Sequence, residues 1–269
     1  MTSIRAYLDA ALALVRRDLT IFLSYRLRFL GQIVSTFFSV VLFYYISRLV
    51  HVGVFSSSNG YFAFVVIGIA IMAILVSSLN ALPMRVRQEL VAGTFERLLL
   101  SPFGPVAAIC SAVLFPLLLA LVEGVLTVSF AALAFGMPVR STAILAVPTA
   151  ILAALSFVPF ALFAAASVIV AKQAQSGIGF AVTGISLVSG VFFPVALLPG
   201  WIQWTTRVQP FTPTLELLRH LVAGTPMTGS AGAAFLKLAL FITIFTPAAW
   251  WLLQSAIRFG QRRGTIIEY

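Results

Sequence analysis

Apolar residues recur at helical spacing through the first 28 positions. Ile4, Leu8, Leu12, Val15, Leu19 and Phe22 fall on one stripe, while Arg5, Asp9, Arg16, Arg17 and Asp18 fall elsewhere. The pattern predicts an amphipathic helix over residues 1–28, lying in a membrane surface and leading on through Tyr25, Arg26 and Arg28. After it the chain changes character. Long apolar runs, nearly free of charge, are each sufficient for a hydrocarbon core of about 30 Å. They predict six spans, over residues 29–50, 61–82, within 106–135, within 142–170, 177–198 and 234–257, with Pro148 and Pro159 bending the fourth. The first run begins too far in, and is too long, for a cleaved signal peptide, so it reads as a retained span.

Two of the intervening stretches are more than links. Residues 83–102, PMRVRQELVAGTFERLLLSP, mix Arg85, Arg87, Glu89, Glu96 and Arg97 with Leu90, Phe95, Leu98, Leu99 and Leu100. Gly93-Thr94 splits the segment, and Thr94 is placed to cap a short second helix. Such a segment suits the water boundary, its apolar side toward lipid or neighbouring helices and its charged side toward a cytosolic partner; a solvated loop is the plainer reading. Before the last span, Phe192-Phe193-Pro194, Pro199-Gly200-Trp201, Trp204 and Pro210-Phe211 surround short apolar stretches. A helix follows from Thr212-Pro213-Thr214, with Leu215, Leu218, Leu221 and Val222 on one face, Glu216, Arg219 and His220 on the other, and Gly224 ending it. Aromatics beside prolines suit the headgroup region, and the expectation is a pair of short re-entrant or interfacial helices on the outer face. In the fifth run, Gly177, Gly179, Ala181, Gly184, Ser186, Ser189 and Gly190 predict a face for close helix packing, within the chain or between copies.

Composition places this pattern in a membrane. Hydrophobic residues make up 61% of the 269 and charged residues 9%, where a soluble domain carries about a quarter charged. The net charge of +10 therefore bears on orientation and anionic lipid, not on nucleic acid. With six spans both termini share a side. Arg5, Arg16, Arg17, Arg26, Arg28, Arg85, Arg87, Arg97, Lys172, Arg258, Arg262 and Arg263 share it with them, leaving Arg48, Arg140, Arg207, Arg219 and Lys237 opposite. The excess predicts that the termini and residues 83–102 are cytoplasmic. The lone Cys110 excludes an intrachain disulfide and a cysteine-cluster metal site.

Candidate chemistry is sparse. Glu123 is the one carboxylate inside a predicted span, either a polar point on a substrate route or proton relay, or a hydrogen-bonded packing residue. The chain has no G-x-x-x-x-G-K-[ST] for ATP, no H-E-x-x-H and no G-x-S-x-G, so no catalytic, cofactor or metal residues are assigned. A stand-alone channel or secondary transporter would show ionisable residues in several spans, or inverted repeats, and neither is present. A scaffold that anchors a partner without moving anything is a third class.

Three passages resemble the membrane subunits of ABC-2 type exporters: the amphipathic start running into RRDLTIFLSYRLRFL, then ELVAGTFERLLLSPFGP, then SGVFFPVALLPGWIQWTTRVQPFTPTLELLRHLVAG. The middle passage is similar to the family's E-x-x-x-G-T-x-E-x-L-x-x-S-P segment between spans two and three. The resemblance implies an all-α membrane fold: an N-terminal connecting helix (1–28), a transmembrane domain (29–258) with a coupling helix and outer re-entrant helices, and a cytoplasmic tail (259–269). It also implies a half-transporter that pairs with a second copy and with two ATP-binding subunits, ATP and Mg being held by those partners. Carried over residue by residue, Arg87, Glu89, Gly93, Thr94, Glu96 and Arg97 would meet the ATPase, and the helices over 193–224 would close the route above the dimer. Glu123 matches no motif of the family. The first span begins SYRLRFLGQIVSTFF, without the Trp- and Pro-containing pattern of polysaccharide-exporting relatives, and so resembles more the drug- and lipid-exporting branch.

Overall fold

The computed structural model describes residues 4–24, 26–49, 58–95, 105–111, 113–171 and 175–263. Among these, every regular element is helical. In chain order they are α1 (Ile4–Ser24), α2 (Arg26–Leu49), α3 (Ser58–Val91), α4 (Pro105–Ser111), α5 (Leu114–Phe135), α6 (Ala146–Ala171), α7 (Gln175–Val188), α8 (Gly200–Val208), α9 (Phe211–Ala223) and α10 (Ala231–Arg263). Short 3-10 turns occupy Ser141–Leu145 and Val195–Leu197.

Among the described residues, five segments are long and apolar enough to cross a membrane: Leu30–Leu49, Ser58–Val91, Ala108–Phe135, Ser141–Ala171 and Ala231–Arg262. The sixth expected span, 177–198, is not one helix. α7 has 14 residues and ends at Val188, giving a length of about 21 Å, short of the hydrocarbon thickness. Gly190 then takes a left-handed conformation (φ 80°) and Pro194 follows in extended backbone, so the chain turns instead of continuing. The second span errs the other way. Its apolar run ends at Leu82, yet α3 continues through Pro83 to Val91. Leu82, Pro83, Val86 and Leu90 are all buried on one face, and that packing offsets the backbone bond proline removes. Pro148 sits in the first turn of α6, where its missing amide leaves no helical bond unmade, and Pro159 lies inside the helix. α10 runs on to Arg263, into the stretch expected as a tail, and the rest of that tail lies outside the described residues.

α3 is the hub. In its span 72% of the residues are buried, against 17% in α2 and 11% in α10, so the latter two present most of their surface outward. α3 packs against α5, α6, α2 and α9, and α10 lies along α6. Ala153, Ala154, Ala161, Ala164, Ala165 and Ala166 are buried in α6, where small side chains let neighbouring helices approach closely. Ser77 donates to the Pro116 carbonyl at 3.0 Å, tying α3 to α5. α2 is held by a ladder of rings on one face: Phe37 stacks on Phe130 with centroids 4.2 Å apart, and Tyr44 lies against Phe135 at 4.4 Å and Phe62 at 5.4 Å. α1 is helical as its periodicity predicts, but Leu12 and Leu19 on its apolar stripe are exposed in the single chain.

Candidate functional site

Three polar groupings among the described residues bear on function: one at the last turn of α3, one between α5 and α2, and one between α9 and the first turns of α3. At the last turn the chain leaves the helix in a closed cap. Gly93 is left-handed (φ 65°), its amide donates to the Leu90 carbonyl at 3.1 Å, and the Thr94 amide reaches back to the Glu89 carbonyl at 3.0 Å. This pairing satisfies two carbonyls that a helix end otherwise orphans. The Glu89 carboxylate accepts from Arg85 Nη2 at 2.6 Å and from the Thr94 hydroxyl. Thr94 thus closes the end of α3 with its hydroxyl donating to Glu89; Phe95, directly after it, is helical, and the rest of the second helix expected there lies outside the described residues. Phe95, next along, is buried. Arg87 is exposed on the same turn of helix. Glu89, Gly93 and Thr94 are therefore brought together, Arg87 lies beside them in sequence on an exposed face, and Glu96 and Arg97 fall outside the described residues.

Glu123 belongs elsewhere. It is buried in α5, and Oε1 accepts from the Thr36 hydroxyl at 2.6 Å and from Gln32 Nε2 at 3.3 Å, both on α2. Gln32 and Thr36 are one helical turn apart, so they meet one carboxylate from the same face. The Thr127 hydroxyl donates to the Glu123 carbonyl at 2.7 Å. This is a hydrogen-bonded joint between the first and third spans.

The third place is one that the sequence pattern does not predict. The pattern puts Arg219 on the polar face of α9, but it is 5% exposed, and burial on that scale requires partners. Its Nε donates to the Phe64 carbonyl at 3.0 Å, Nη1 to the Gly190 carbonyl at 2.9 Å and Nη2 to the Val191 carbonyl at 2.8 Å. The guanidinium carbon lies 3.3 Å from the centroid of the Phe64 ring. Burial pushes its pKa down to about 9, with nearby Glu216 acting in the opposite direction, so it is charged at neutral pH. Gly68 makes the approach possible: a Cβ there would stand 2.5 Å from the Val191 carbonyl oxygen and 3.1 Å from Arg219 Nη2. The sequence does carry a sign of this. Arg219 follows Leu215 by four residues and precedes Val222 by three, which puts it on the buried stripe.

The far end of α9 is tied as well. The Arg140 amide donates to the Val222 carbonyl at 2.9 Å and the Thr142 hydroxyl to the Leu221 carbonyl at 2.6 Å. Gly224 closes the helix in the left-handed region (φ 74°), as its position predicts. α8 and α9 form the expected pair of short helices, α9 buried, α8 with Trp201 and Trp204 exposed.

These features, a polar turn closing the second span and a two-helix excursion before the last, are accompanied by a match to a family model described as ABC-2 type transporter over residues 9–223 of the 269. The chain belongs to the ABC-2 type transporter family. No curated protein matches it. An ABC-2 chain of this kind is a multi-pass membrane protein with the role of membrane permease in an ABC transporter. The family's members are transport subunits, generally not catalytic themselves, that typically work with an ATP-binding subunit.

Proposed function

We propose that this ABC-2 permease is the membrane half of an ATP-driven exporter of the drug- and lipid-exporting type. Two copies of the chain and two ATP-binding subunits form the complex, and ATP and Mg are held by the latter. The route carries an amphipathic molecule: a drug, a lipid or a glycoconjugate. Both termini and the end of α3 face the cytoplasm of the plasma or inner membrane, where the turn at Glu89, Gly93 and Thr94, flanked by Arg87, Glu96 and Arg97, meets the ATPase.

The observation that carries this reading is the capped polar turn closing α3. It is a stiff, charged point at the end of the most buried helix, so force applied there reaches the middle of the bundle. ATP binding draws the two ATPases together and displaces that turn. The route changes sides because the ATP-bound partners favour the outward-facing state, a shift limited by their differential affinity for the two states. Purification from cells that co-express a phosphate-loop ATPase tests the assembly. The expected result is a complex with equal numbers of both chains that moves a fluorescent amphiphile into inside-out vesicles when ATP is present. Purified chain that brings down no ATPase, or vesicles whose uptake ignores ATP, would count decisively against it.

A further inference from the structure

Of the polar groups buried in this chain, Arg219 carries the largest unexplained demand. It is a charged side chain, almost wholly buried, and among the described residues its hydrogen-bond acceptors are all backbone carbonyls, none a carboxylate. Those carbonyls come from two different parts of the chain. Phe64 lies in the second turn of α3, while Gly190 and Val191 lie just past the C-terminal end of α7, where helix carbonyls point outward and the dipole is negative. One planar fork therefore joins three elements: α9, which carries it, α3, and the turn that ends α7. Gly68 allows α3 to come this close, and Gly190 can hold its left-handed turn only without a side chain, since a Cβ there would meet Val195 Cγ2 at 2.8 Å.

α3, a single helix of 34 residues with Pro83 inside it, runs on from Phe64 to Val91 and the capped turn at Gly93. The same helix that is clasped by Arg219 at one end carries the polar turn at the other. Sequence-distant ends of a stiff rod move together, whereas a hairpin held by exposed loops alone would not follow them.

We infer that Arg219 is a positioning residue for transport: it fixes the α8–α9 hairpin and the turn after α7 to the first turns of α3, so that displacement of the cytosolic turn is delivered to the outer face as motion of one body. This rests on the exporter reading above. Gly68 acts in the same joint from the other side, by permitting the contact without making it.

The test uses the full complex with its ATP-binding subunit in proteoliposomes, in a Cys110→Ala background with a reporter Arg207→Cys on exposed α8. The rate of labelling by a membrane-impermeant maleimide is read with and without ATP plus vanadate. The parent complex should change its labelling rate by about tenfold on nucleotide trapping, a typical size for coupling between sites. Arg219→Gln and Gly68→Ala should each abolish that change while subunit stoichiometry and ATP hydrolysis are retained. Arg219→Lys, which keeps the charge but not the three-way fork, should recover part of it. Any of these variants that assembles and responds like the parent overturns the inference. If Arg219→Gln does not assemble, Gly68→Ala and Arg219→Lys give the reading. A parent complex that lacks an ATPase, or whose reporter ignores nucleotide, instead sinks the exporter reading itself.

Discussion

Glu123 rests between Gln32 and Thr36, and Glu89 between Arg85 and Thr94, yet the two carboxylates have different consequences. Glu123 joins two spans across lipid depth, where no water can replace a lost partner. Replacing it with Leu removes the acceptor for both α2 groups and should cost about 1–2 kcal/mol, the upper range for interhelical hydrogen bonds in membranes. Glu123→Gln keeps an acceptor oxygen for Thr36 and should cost less than half of that; thermal unfolding of the purified chain in detergent measures both. The Arg85–Glu89 pair is partly exposed and one turn apart, so its loss should change stability by less than about 1 kcal/mol. Glu89→Gln is therefore a clean probe: a fall in ATP-dependent transport with unchanged melting would report the contact with the ATPase and not the fold. Gly93 has nothing within 4 Å of an added Cβ, so Gly93→Ala should cost only the left-handed conformation, about 1–2 kcal/mol. Gly190→Ala meets the same backbone strain plus side-chain and carbonyl crowding, and should be the more damaging of the two. Below about 9 the guanidinium of Arg219 is protonated in both folded and unfolded chains, so it contributes no pH dependence to stability between pH 6 and 8.

Helices whose apolar runs are longer than the membrane needs were easy to read, because hydrophobicity alone defines them; α2, α6 and α10 lie where the runs predict. What the sequence conceals is where a helix stops. Pro83 has the character of an end and is not one, because Leu82, Val86 and Leu90 continue the buried face past it and tertiary packing outweighs a single lost bond. The run 177–198 reads as continuous, yet α7 ends at Val188, because a turn at Gly190 is stabilised by an arginine almost thirty residues later. No local rule contains that contact. Among the proposed interface residues, the cap at Gly93 and Thr94 was readable as a break in the chain, while the hydrogen-bond partners of Thr94 and the α2 partners of Glu123 depend on which helices become neighbours. α7 also carries the small-residue face, and here the outcome is divided. Ser186, Ser189 and Gly190 are buried in the chain, whereas Gly177, Gly179 and Gly184 have open space beside them and Ala181 is exposed. Under the two-copy proposal the exposed half meets the second chain. Gly184→Leu should then shift the purified permease from dimer toward monomer in light scattering, with little change in the fold of either chain. A Leu that leaves the oligomeric state untouched would place that face against lipid.

At the scale of the whole molecule the decisive question is which end of α3 faces the cytosol. From Phe64 to Glu89 the helix rises about 37 Å, more than the hydrocarbon core, so under the exporter proposal the Arg219 joint and the Gly93 turn lie toward opposite faces. The proposed direction rests on charge. The Gly93 end carries Arg85 and Arg87, and the exposed Arg258 and Arg262 close α10. The five basic residues expected at the other face are not equivalent to these. Arg219 is enclosed by carbonyls and is not presented to lipid headgroups, whereas Arg140 lies over Gly224 and stays exposed. Leaving the buried Arg219 out of the count sharpens the asymmetry on which the proposed orientation rests. The expected result is specific to position. In a Cys110→Ala chain, a cysteine replacing Arg207 should react with an impermeant maleimide added to intact cells, and a cysteine replacing Val91, exposed one residue before the cap, should react only after the cytoplasmic side is opened. The opposite pattern would put the polar turn out of reach of any ATP-binding partner. The family fold would survive such a result, but the cytosolic lever, and the transmission through Arg219 that depends on it, would not.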